Sequence, residues 1–267
     1  MKIPIYQADA FTSGVFRGNP AAFCPLDQWL PDELLQNIAA ENNLSETAFV
    51  VNEPDGYRIR WFTPATEVDL CGHATLATAH IFFSHLGFEQ PNLQFQSRSG
   101  WLKIKKQPDG RITLDFPANK PQPVTEVPKG LFEGLKIKPA PLFRGAWDYL
   151  VLLNNQREIE TLDPDFTVLA QTEGRGVIVT AKGDNVDFVS RCFYPQSGIN
   201  EDPVTGSAHT IMVPFWAEKL GKNKLTAMQL SSRKGNLECE YAGDRVLMSG
   251  HAVTYMKGEI EIQEALA

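Results

Sequence analysis

The sequence is poor in cysteine and has no closely spaced cysteine pair. Its 4 cysteines, Cys24, Cys71, Cys192 and Cys239, are far apart and form no CxxC motif. This spacing disfavours both a structural zinc site and a disulfide framework. No stretch reaches the roughly 18 apolar residues that a membrane span needs, and the first residues lack the apolar core of a signal peptide. We therefore expect a cytoplasmic protein with no membrane partner.

Common motifs of nucleotide, metal and hydrolase chemistry are also missing. The sequence has no GxGxxG, no glycine-rich loop ending in Gly-Lys-Ser/Thr, no HExxH and no GxSxG. We therefore expect no cofactor and no metal. The formal net charge of −7 argues against a general nucleic-acid partner, because the phosphate backbone would be repelled. A local site for a small anionic metabolite is still compatible with this charge.

The chain contains an internal duplication. Two apolar runs, Gly72 to Leu86 and Gly206 to Leu220, share one offset at both ends (206 − 72 = 134; 220 − 86 = 134). Upstream, Arg60 matches Arg191 at a smaller offset (191 − 60 = 131), so the second copy has three extra residues, which we place at 201–203. A repeat of this length predicts two sister domains that face each other across a cleft, a preferred place for small ligands.

The residue pattern predicts an α+β fold. Most segments alternate polar and apolar residues with period two between turn residues, which indicates antiparallel sheet. The two repeated runs are apolar around most of their circumference, so each helix must be wrapped on all sides. A further helix is predicted from Pro31 to Ala40, with Leu34, Leu35 and Ile38 on one face. The fold class is therefore two pseudo-symmetric antiparallel domains, each enclosing a central apolar helix.

The duplication also sets the expected domain limits. The first domain is predicted at residues 1–119, with its central helix near 72–86. The second is predicted at residues 120–267, with its helix near 206–220 and with a last strand that can pair back with the first domain.

Each central helix begins with a turn of small and polar residues. Gly72 opens the first helix, and Thr205, Gly206 and Ser207 lie at the start of the second. Helix N-termini present unpaired N–H groups and a partial positive charge, so two of them in one cleft would hold a carboxylate. The alternative is that Thr205, Ser207 and Thr75 only cap their helices.

Two polar residues of the first copy are candidates for acid–base chemistry. Glu46 follows Ser45 in a polar turn that leads into an apolar strand, and Val177 takes its place in the second copy. Desolvation at the edge of a dry cleft would raise the pKa of Glu46, whereas a solvated strand-edge glutamate is the alternative. His73 is in the first turn of its helix, where the dipole would oppose protonation and leave a neutral imidazole.

Cys71 and Asp202 precede the two central helices. A thiol before a helix has a lowered pKa, so Cys71 is a candidate reactive thiolate, with a buried and inert cysteine as the alternative. Asp202 stands before a proline and a helix start, which favours its ionised form. It could bind a substrate ammonium or hydroxyl or shuttle a proton, or it could only cap the turn.

Five ordered motifs together resemble the phenazine-biosynthesis PhzF-like family of isomerases, which is related to diaminopimelate epimerase. The motifs are Gly18-Asn19-Pro20-Ala21, Asn43-Leu44-Ser45-Glu46-Thr47, Phe62-Thr63-Pro64, Glu67 to Thr75, and Glu201 to Ala208. The resemblance covers nearly the whole chain. It implies two antiparallel barrels, each enclosing a central helix, with the active site between them, and it also implies a homodimer.

The resemblance implies roles for individual residues. Glu46 would be the general acid/base that moves a proton between carbons, while His73, Asp202 and Ser207 would bind and orient the substrate. Gly72 and Gly206 would mark the helix N-termini that hold its carboxylate, and no cofactor is implied. The residues expected to contact substrate are Ser45, Cys71, Gly72, Thr205, Gly206 and Ser207.

The expected activity is a cofactor-independent isomerisation of a small carboxylate-bearing metabolite in a biosynthetic process. Two alternatives stay open. Diaminopimelate epimerase uses a cysteine before each central helix, whereas this chain has Cys71 before the first and Asp202 near the second. These two residues would form an unlike acid/base pair in a racemase or epimerase of an amino-acid-like substrate. The other alternative is a catalytically silent protein that binds a small anion.

Overall fold

The computed structural model describes residues 1–263 of the chain. They form two compact units. Met1–Asp115 and the segment from Ser249 to the end of the described residues make the first, and Phe116–Met248 make the second. No helix within residues 1–263 combines the length and apolarity that a membrane crossing needs.

The described residues contain eighteen strands: β1 (Lys2–Ala10), β2 (Asn19–Leu26), β3 (Glu46–Glu53), β4 (Gly56–Phe62), β5 (Glu67–Val68), β6 (Asn92–Ser97), β7 (Gly100–Lys106), β8 (Ile112–Pro117), β9 (Gln122–Pro123), β10 (Leu142–Arg144), β11 (Asp148–Leu152), β12 (Gly176–Lys182), β13 (Phe188–Tyr194), β14 (Ile199–Asp202), β15 (Lys224–Gln229), β16 (Gly235–Ala242), β17 (Arg245–Gly250) and β18 (Ala252–Glu261). The helices of this part of the chain are α1 (Asp32–Asn42), α2 (Gly72–His85), α3 (Leu131–Leu135), α4 (Gln156–Glu160), α5 (Phe166–Leu169) and α6 (Gly206–Leu220), with one 3₁₀ turn at Pro195–Ser197. The fold is therefore a sheet-dominated α+β fold with few helices.

The two units repeat one strand order. In the first unit β1, β2, β3, β4, β6 and β7 are neighbours in that order, and in the second unit β10, β11, β12, β13, β15 and β16 correspond to them. The second and fourth pairings of each series are parallel: β2–β3 and β4–β6 in the first unit, β11–β12 and β13–β15 in the second. The sheet is mixed, so the prediction of purely antiparallel sheet was wrong. Period-two alternation reports burial of one face and not the direction of the neighbouring strand.

A repeated ion pair fixes the alignment of the two copies. Arg60 donates from Nε and Nη2 to Glu67 at 2.7 Å each, and Arg191 donates in the same way to Glu201 at 2.7 and 2.8 Å. The three extra residues of the second copy therefore lie between Arg191 and Glu201, at the 3₁₀ turn, and not at 201–203 as predicted. Asp202 thus occupies the position of Val68, because each faces the matching residue of β4 or β13.

The last strand belongs to the first unit. β18 pairs antiparallel with β1 from Lys2↔Glu261 to Ala10↔Ala252. The predicted second domain at 120–267 therefore differs from the second unit of the structure, which ends at Met248. The backbone hydrogen bonds of β1 are the physical reason, since they recruit residues 252–261 into the first sheet.

The two long helices are buried on nearly every side. Eight consecutive residues of α2, from Gly72 to Ala79, are buried, as is the run Ala208–Pro214 of α6. α2 packs against β1, β2, β3 and β18, and α6 packs against β11, β15 and β16. The predicted enclosure of both helices follows from their apolar circumference. α1 has Leu35 and Ile38 buried, as its pattern predicted.

Candidate active site

Three predicted side chains of the first unit lie together. The Nε2 atom of His73 is 3.0 Å from Oε2 of Glu46, and their side chains are 4% and 13% exposed. The Nδ1 atom of the same ring is 3.6 Å from Sγ of Cys71. The Glu46–His73 contact lacks hydrogen-bond alignment, so within residues 1–263 both facing atoms are buried without a hydrogen-bond partner. The imidazole therefore stands between a thiol and a carboxylate.

Local structure places these groups. Glu46 begins β3, which runs parallel to β2 with Ala21 opposite Glu46. Cys71 is extended and the chain then enters α2 at Gly72, which places His73 in the first turn. Thr75 donates from Oγ1 to the carbonyl oxygen of Cys71, so the side chain of Thr75 is not a cap for the N–H groups.

Burial and charge oppose each other at His73. Burial disfavours the imidazolium, but the neighbouring groups Cys71 and Glu46 favour it more strongly, and the pKa of His73 is raised well above 6.5. We ascribe the increase to Glu46, because burial and the same carboxylate raise the pKa of the Cys71 thiol to about 11 and leave that thiol neutral. The expectation of a neutral His73 is thus wrong, because a carboxylate 3.0 Å from the imidazole outweighs the end of a helix. Of the two alternatives for Cys71, the buried and inert cysteine is favoured over the reactive thiolate.

The same three residues offer potential metal ligands. A carboxylate oxygen of Glu46, the thiol of Cys71 and a ring nitrogen of His73 lie within 4.8 Å of one another. The two ring nitrogens, however, are turned toward different partners, with Nδ1 nearer the thiol and Nε2 nearer the carboxylate. One ion can take only one nitrogen of a ring, so this arrangement suits passage of a proton better than chelation.

The second unit holds Asp202 in a buried polar network. Thr205 donates from Oγ1 to Oδ2 of Asp202 at 2.5 Å. Gln229, which is fully buried, accepts from the backbone N–H of Thr205 at 2.8 Å and donates to the backbone carbonyl of Asp202 at 2.7 Å. His209 is also fully buried, and burial lowers its pKa to about 4. The turn before α6 is therefore held by the side chains of Asp202, Thr205 and Gln229.

Ser207 lies in the first turn of α6, and its hydroxyl oxygen contacts a guanidinium group. Arg175 donates from Nη2 to Oγ of Ser207 at 2.9 Å. The same guanidinium donates from Nε and Nη2 to the two carboxylate oxygens of Asp148 at 2.9 and 2.5 Å. Burial opposes protonation of Arg175, but its hydrogen bonds with Asp148 outweigh this and raise its pKa.

The start of each long helix lacks the expected cap. In the described part of the chain, neither Cys71 before α2 nor Thr205 before α6 accepts a hydrogen bond from the first turn through its side chain. The hydroxyl of Thr205 is instead a donor to Asp202, and that of Ser207 accepts from Arg175. The hydrogen bonds of the described residues therefore contradict the alternative that Thr205, Ser207 and Thr75 only cap their helices.

The sequence identified some of these residues and missed others. Ser45 precedes β3 and contacts the side chain of Asn19 at 3.4 Å, within the first unit. Asp148, Arg175 and Gln229 were not predicted. The sequence carries one signal for these residues, because Arg175 stands between Gly174 and Gly176. Glycine has no side chain, so the backbone on both sides of this arginine tolerates the close approach of other groups.

Comparison with known proteins agrees with this architecture. The model of the family described as phenazine biosynthesis-like protein matches residues 8–258. An uncharacterised isomerase of Pseudomonas aeruginosa is 52% identical over 98% of this chain and 100% of its own. An uncharacterised isomerase of Halalkalibacterium halodurans is 47% identical over 97% of this chain and 99% of its own. A crystal structure of a PhzF family protein of Enterococcus faecalis has a TM-score of 0.93 and 45% identity, and covers 98% of this chain and 100% of that chain.

The relatives that match over nearly the whole chain are named isomerases, which defines the protein as an isomerase. The chain belongs to the phenazine biosynthesis-like, or PhzF, family. The family resemblance seen in the sequence motifs is thereby confirmed.

Proposed function

We propose that the protein is a cofactor-independent isomerase that moves a proton between carbons of a small carboxylate-bearing metabolite, with Glu46 as the general acid/base. The observation that carries this proposal is the contact of 3.0 Å between the carboxylate of Glu46 and the imidazole of His73. Both side chains are largely removed from water, a setting that strengthens the electrostatic interactions of an acid–base group with a bound substrate.

The proposed reaction is a balanced proton transfer. The Glu46 carboxylate removes a proton from a carbon beside an activating group of the substrate, and the electron pair of that C–H bond moves into the substrate. The resulting carboxylic acid returns the proton to another carbon, which restores the carboxylate. Nothing is oxidised or reduced. His73, whose pKa is raised well above 6.5, carries a positive charge that holds the carboxylate in place.

Substrate binding is assigned to the starts of the long helices. The first N–H groups of a helix are unpaired within it and attract an anion. We propose Gly72 as a carboxylate-binding residue of the first unit and Gly206 as one of the second unit, and we propose Asp202, Thr205 and Ser207 as residues that orient the substrate. The absence of side-chain caps in both described turns supports this assignment.

The proposal includes closure of each sheet into a barrel around its long helix. Burial along the whole first half of α2 and along most of α6 supports a wall on every side. A closed sheet has no exposed edge at which another strand can pair.

The racemase alternative is less well supported. It needs an accessible thiolate at Cys71, whereas this thiol is buried and its pKa is raised by burial, and then by Glu46, to about 11. Its partner Asp202 accepts a hydrogen bond from Thr205 at 2.5 Å. A silent binding protein is disfavoured because relatives over the full length are named isomerases.

Solvent exchange tests the role of Glu46. The protein is incubated in D₂O with a panel of small carboxylates that carry a C–H bond beside an activating group, and deuterium incorporation is followed by NMR. Glu46→Gln keeps the shape but removes the basic group, so we expect exchange to fall by about 10²-fold or more. The control is Glu53→Gln, the same change at the other end of β3, where Glu53 accepts from Trp29. Exchange by Glu46→Gln at the wild-type rate would refute the proposal.

A further inference from the structure

A single arginine of the second unit is held from several directions. Asp148 is fully buried, and both of its carboxylate oxygens accept from Arg175. A buried carboxylate is costly without a partner of opposite charge, so Asp148 requires this guanidinium. The planar fork of arginine matches the two oxygens, which fixes the plane of the group as well as its position.

Aromatic rings and glycines complete the setting of Arg175. Its guanidinium carbon is 5.4 Å from the ring centroid of Tyr194 and 5.8 Å from that of Trp147. A Cβ atom at Gly176 would lie 2.2 Å from the Tyr194 ring, so only glycine allows this ring so close to the backbone. The backbone N–H of Arg175 donates to the carbonyl oxygen of Trp147 at 2.8 Å. The side chain is therefore oriented before any ligand arrives.

The contact with Arg175 determines which hydrogen bonds the Ser207 hydroxyl can make. Nη2 of Arg175 donates to Oγ of Ser207 at 2.9 Å. A guanidinium has no acceptor, so the serine oxygen must accept in this contact. No residue within 1–263 accepts a hydrogen bond from the Ser207 hydroxyl, so its proton is available to a ligand. A hydroxyl that accepts from a cation is also a stronger donor, because the bonds of a chain polarise one another.

The two units use opposite charges at comparable places. In the first unit Glu46, at the start of β3, contacts His73, which is the second residue of α2. In the second unit Arg175, directly before β12, contacts Ser207, which is the second residue of α6. A negative charge faces a helix start in one copy and a positive charge does so in the other.

We infer that Arg175 is a positioning residue that makes Ser207 a hydrogen-bond donor to an anionic group of the substrate, and thereby selects acids over amides and amines. This inference rests on the proposed role of Ser207 in substrate binding and deepens it. Arg175 acts by occupying the serine oxygen, which leaves the hydroxyl proton for an acceptor on the ligand and disfavours a ligand, such as an ammonium, that can only donate.

Binding measurements test this inference without depending on catalysis. The probes are cyclopentanecarboxylate, its primary amide and cyclopentylmethylammonium, titrated into wild type and into Glu46→Gln, with the NMR signals of the probe itself as the reporter, so that variants of Arg175 are measured in the same way. We expect the carboxylate to bind both proteins at least about tenfold more tightly than the amide or the ammonium, since a hydrogen bond to a charged group has that value. Ser207→Ala and Arg175→Met should each abolish this tenfold preference for the carboxylate. The double variant should lose no more of the preference than either single variant.

Controls separate positioning from a general structural effect. Arg191→Met breaks a bidentate ion pair of the same kind, with Glu201, and should keep the preference. Arg175→Lys keeps the charge beside Asp148 but lacks the fork, so it should fold and still lose part of the preference. Added guanidinium chloride should restore carboxylate binding to Arg175→Ala. The inference is overturned if wild type binds no carboxylate probe, if the amide binds equally well, or if folded Arg175→Lys and Arg175→Met keep the full preference. Because binding is read in Glu46→Gln as well, failure of the proton-transfer proposal leaves a distinct result.

Discussion

The contact of Glu46 with His73 predicts a large coupling in stability between the two residues. Their facing atoms are 3.0 Å apart and their side chains are 13% and 4% exposed, so water screens the interaction weakly. Removing one member of a buried pair leaves the other charge without a partner, which costs about 3–5 kcal/mol. We therefore expect Glu46→Gln and His73→Gln each to lower the free energy of unfolding by about that amount. The double variant should lose clearly less than the sum of the two.

The coupling should depend on pH in one direction. The pKa of His73 in the folded protein is raised well above its unfolded value of 6.5. A group with a raised folded pKa contributes stability that is complete below the unfolded pKa and is lost as the pH rises through the folded pKa. The coupling should therefore be complete at about pH 6 and should decrease on the alkaline side.

Urea unfolding followed by circular dichroism, from about pH 6 to pH 9.5, measures this coupling in a double-mutant cycle. The control pair is Lys2 and Glu259, which are 2.7 Å apart but 62% and 50% exposed, so their coupling should be much smaller because water screens it. Equal couplings for the two pairs, or a Glu46–His73 coupling that grows with pH, would show that His73 is not a buried imidazolium.

Two further predictions concern Cys71 and the enclosed helix of the second unit. Cys71→Ala should keep most of the exchange activity, and native Cys71 should resist iodoacetamide at about pH 8, because its pKa is raised to about 11 by burial and then by Glu46; loss of turnover would instead favour the cysteine mechanism. Trp216 is 2% exposed and donates to Thr180, so Trp216→Ala should lower the free energy of unfolding by about 3–5 kcal/mol. Trp101 is 46% exposed, so Trp101→Ala should lower it by about 0.5 kcal/mol. Thermal unfolding of both variants compares them, and equal losses would mean that α6 is not enclosed.

The sequence was informative where local pattern and repetition determine structure. The starts of α2 and α6 at Gly72 and Gly206 follow from one offset and from apolar runs that have no polar face. The proximity of Glu46 and His73 was expected only through the family resemblance, because no spacing rule joins a strand start to a helix start 27 residues later (73 − 46 = 27).

Other features depend on tertiary structure and leave little local signal. Strand direction in the β2–β3 and β11–β12 pairs is set by the crossover that joins the strands, which residue alternation does not encode. The pairing of Arg175 with Asp148 joins two strands' ends through a parallel register, Asp148↔Gly176, that cannot be read from either segment alone. The pKa of His73 likewise depends on a carboxylate brought to it by folding and not on its place in the helix.

The pairing of β1 with β18 has a consequence for biosynthesis of the chain. Residues of the second unit are contiguous, so that unit can assemble as soon as it leaves the ribosome. The other strands of the first unit are synthesised early, yet the edge of β1 that pairs with β18 stays open until β18 is made. A nascent polypeptide thus carries an unpaired strand edge throughout the synthesis of 133 further residues (248 − 115 = 133), and a truncated product ending near Met248 should be prone to aggregate through that edge.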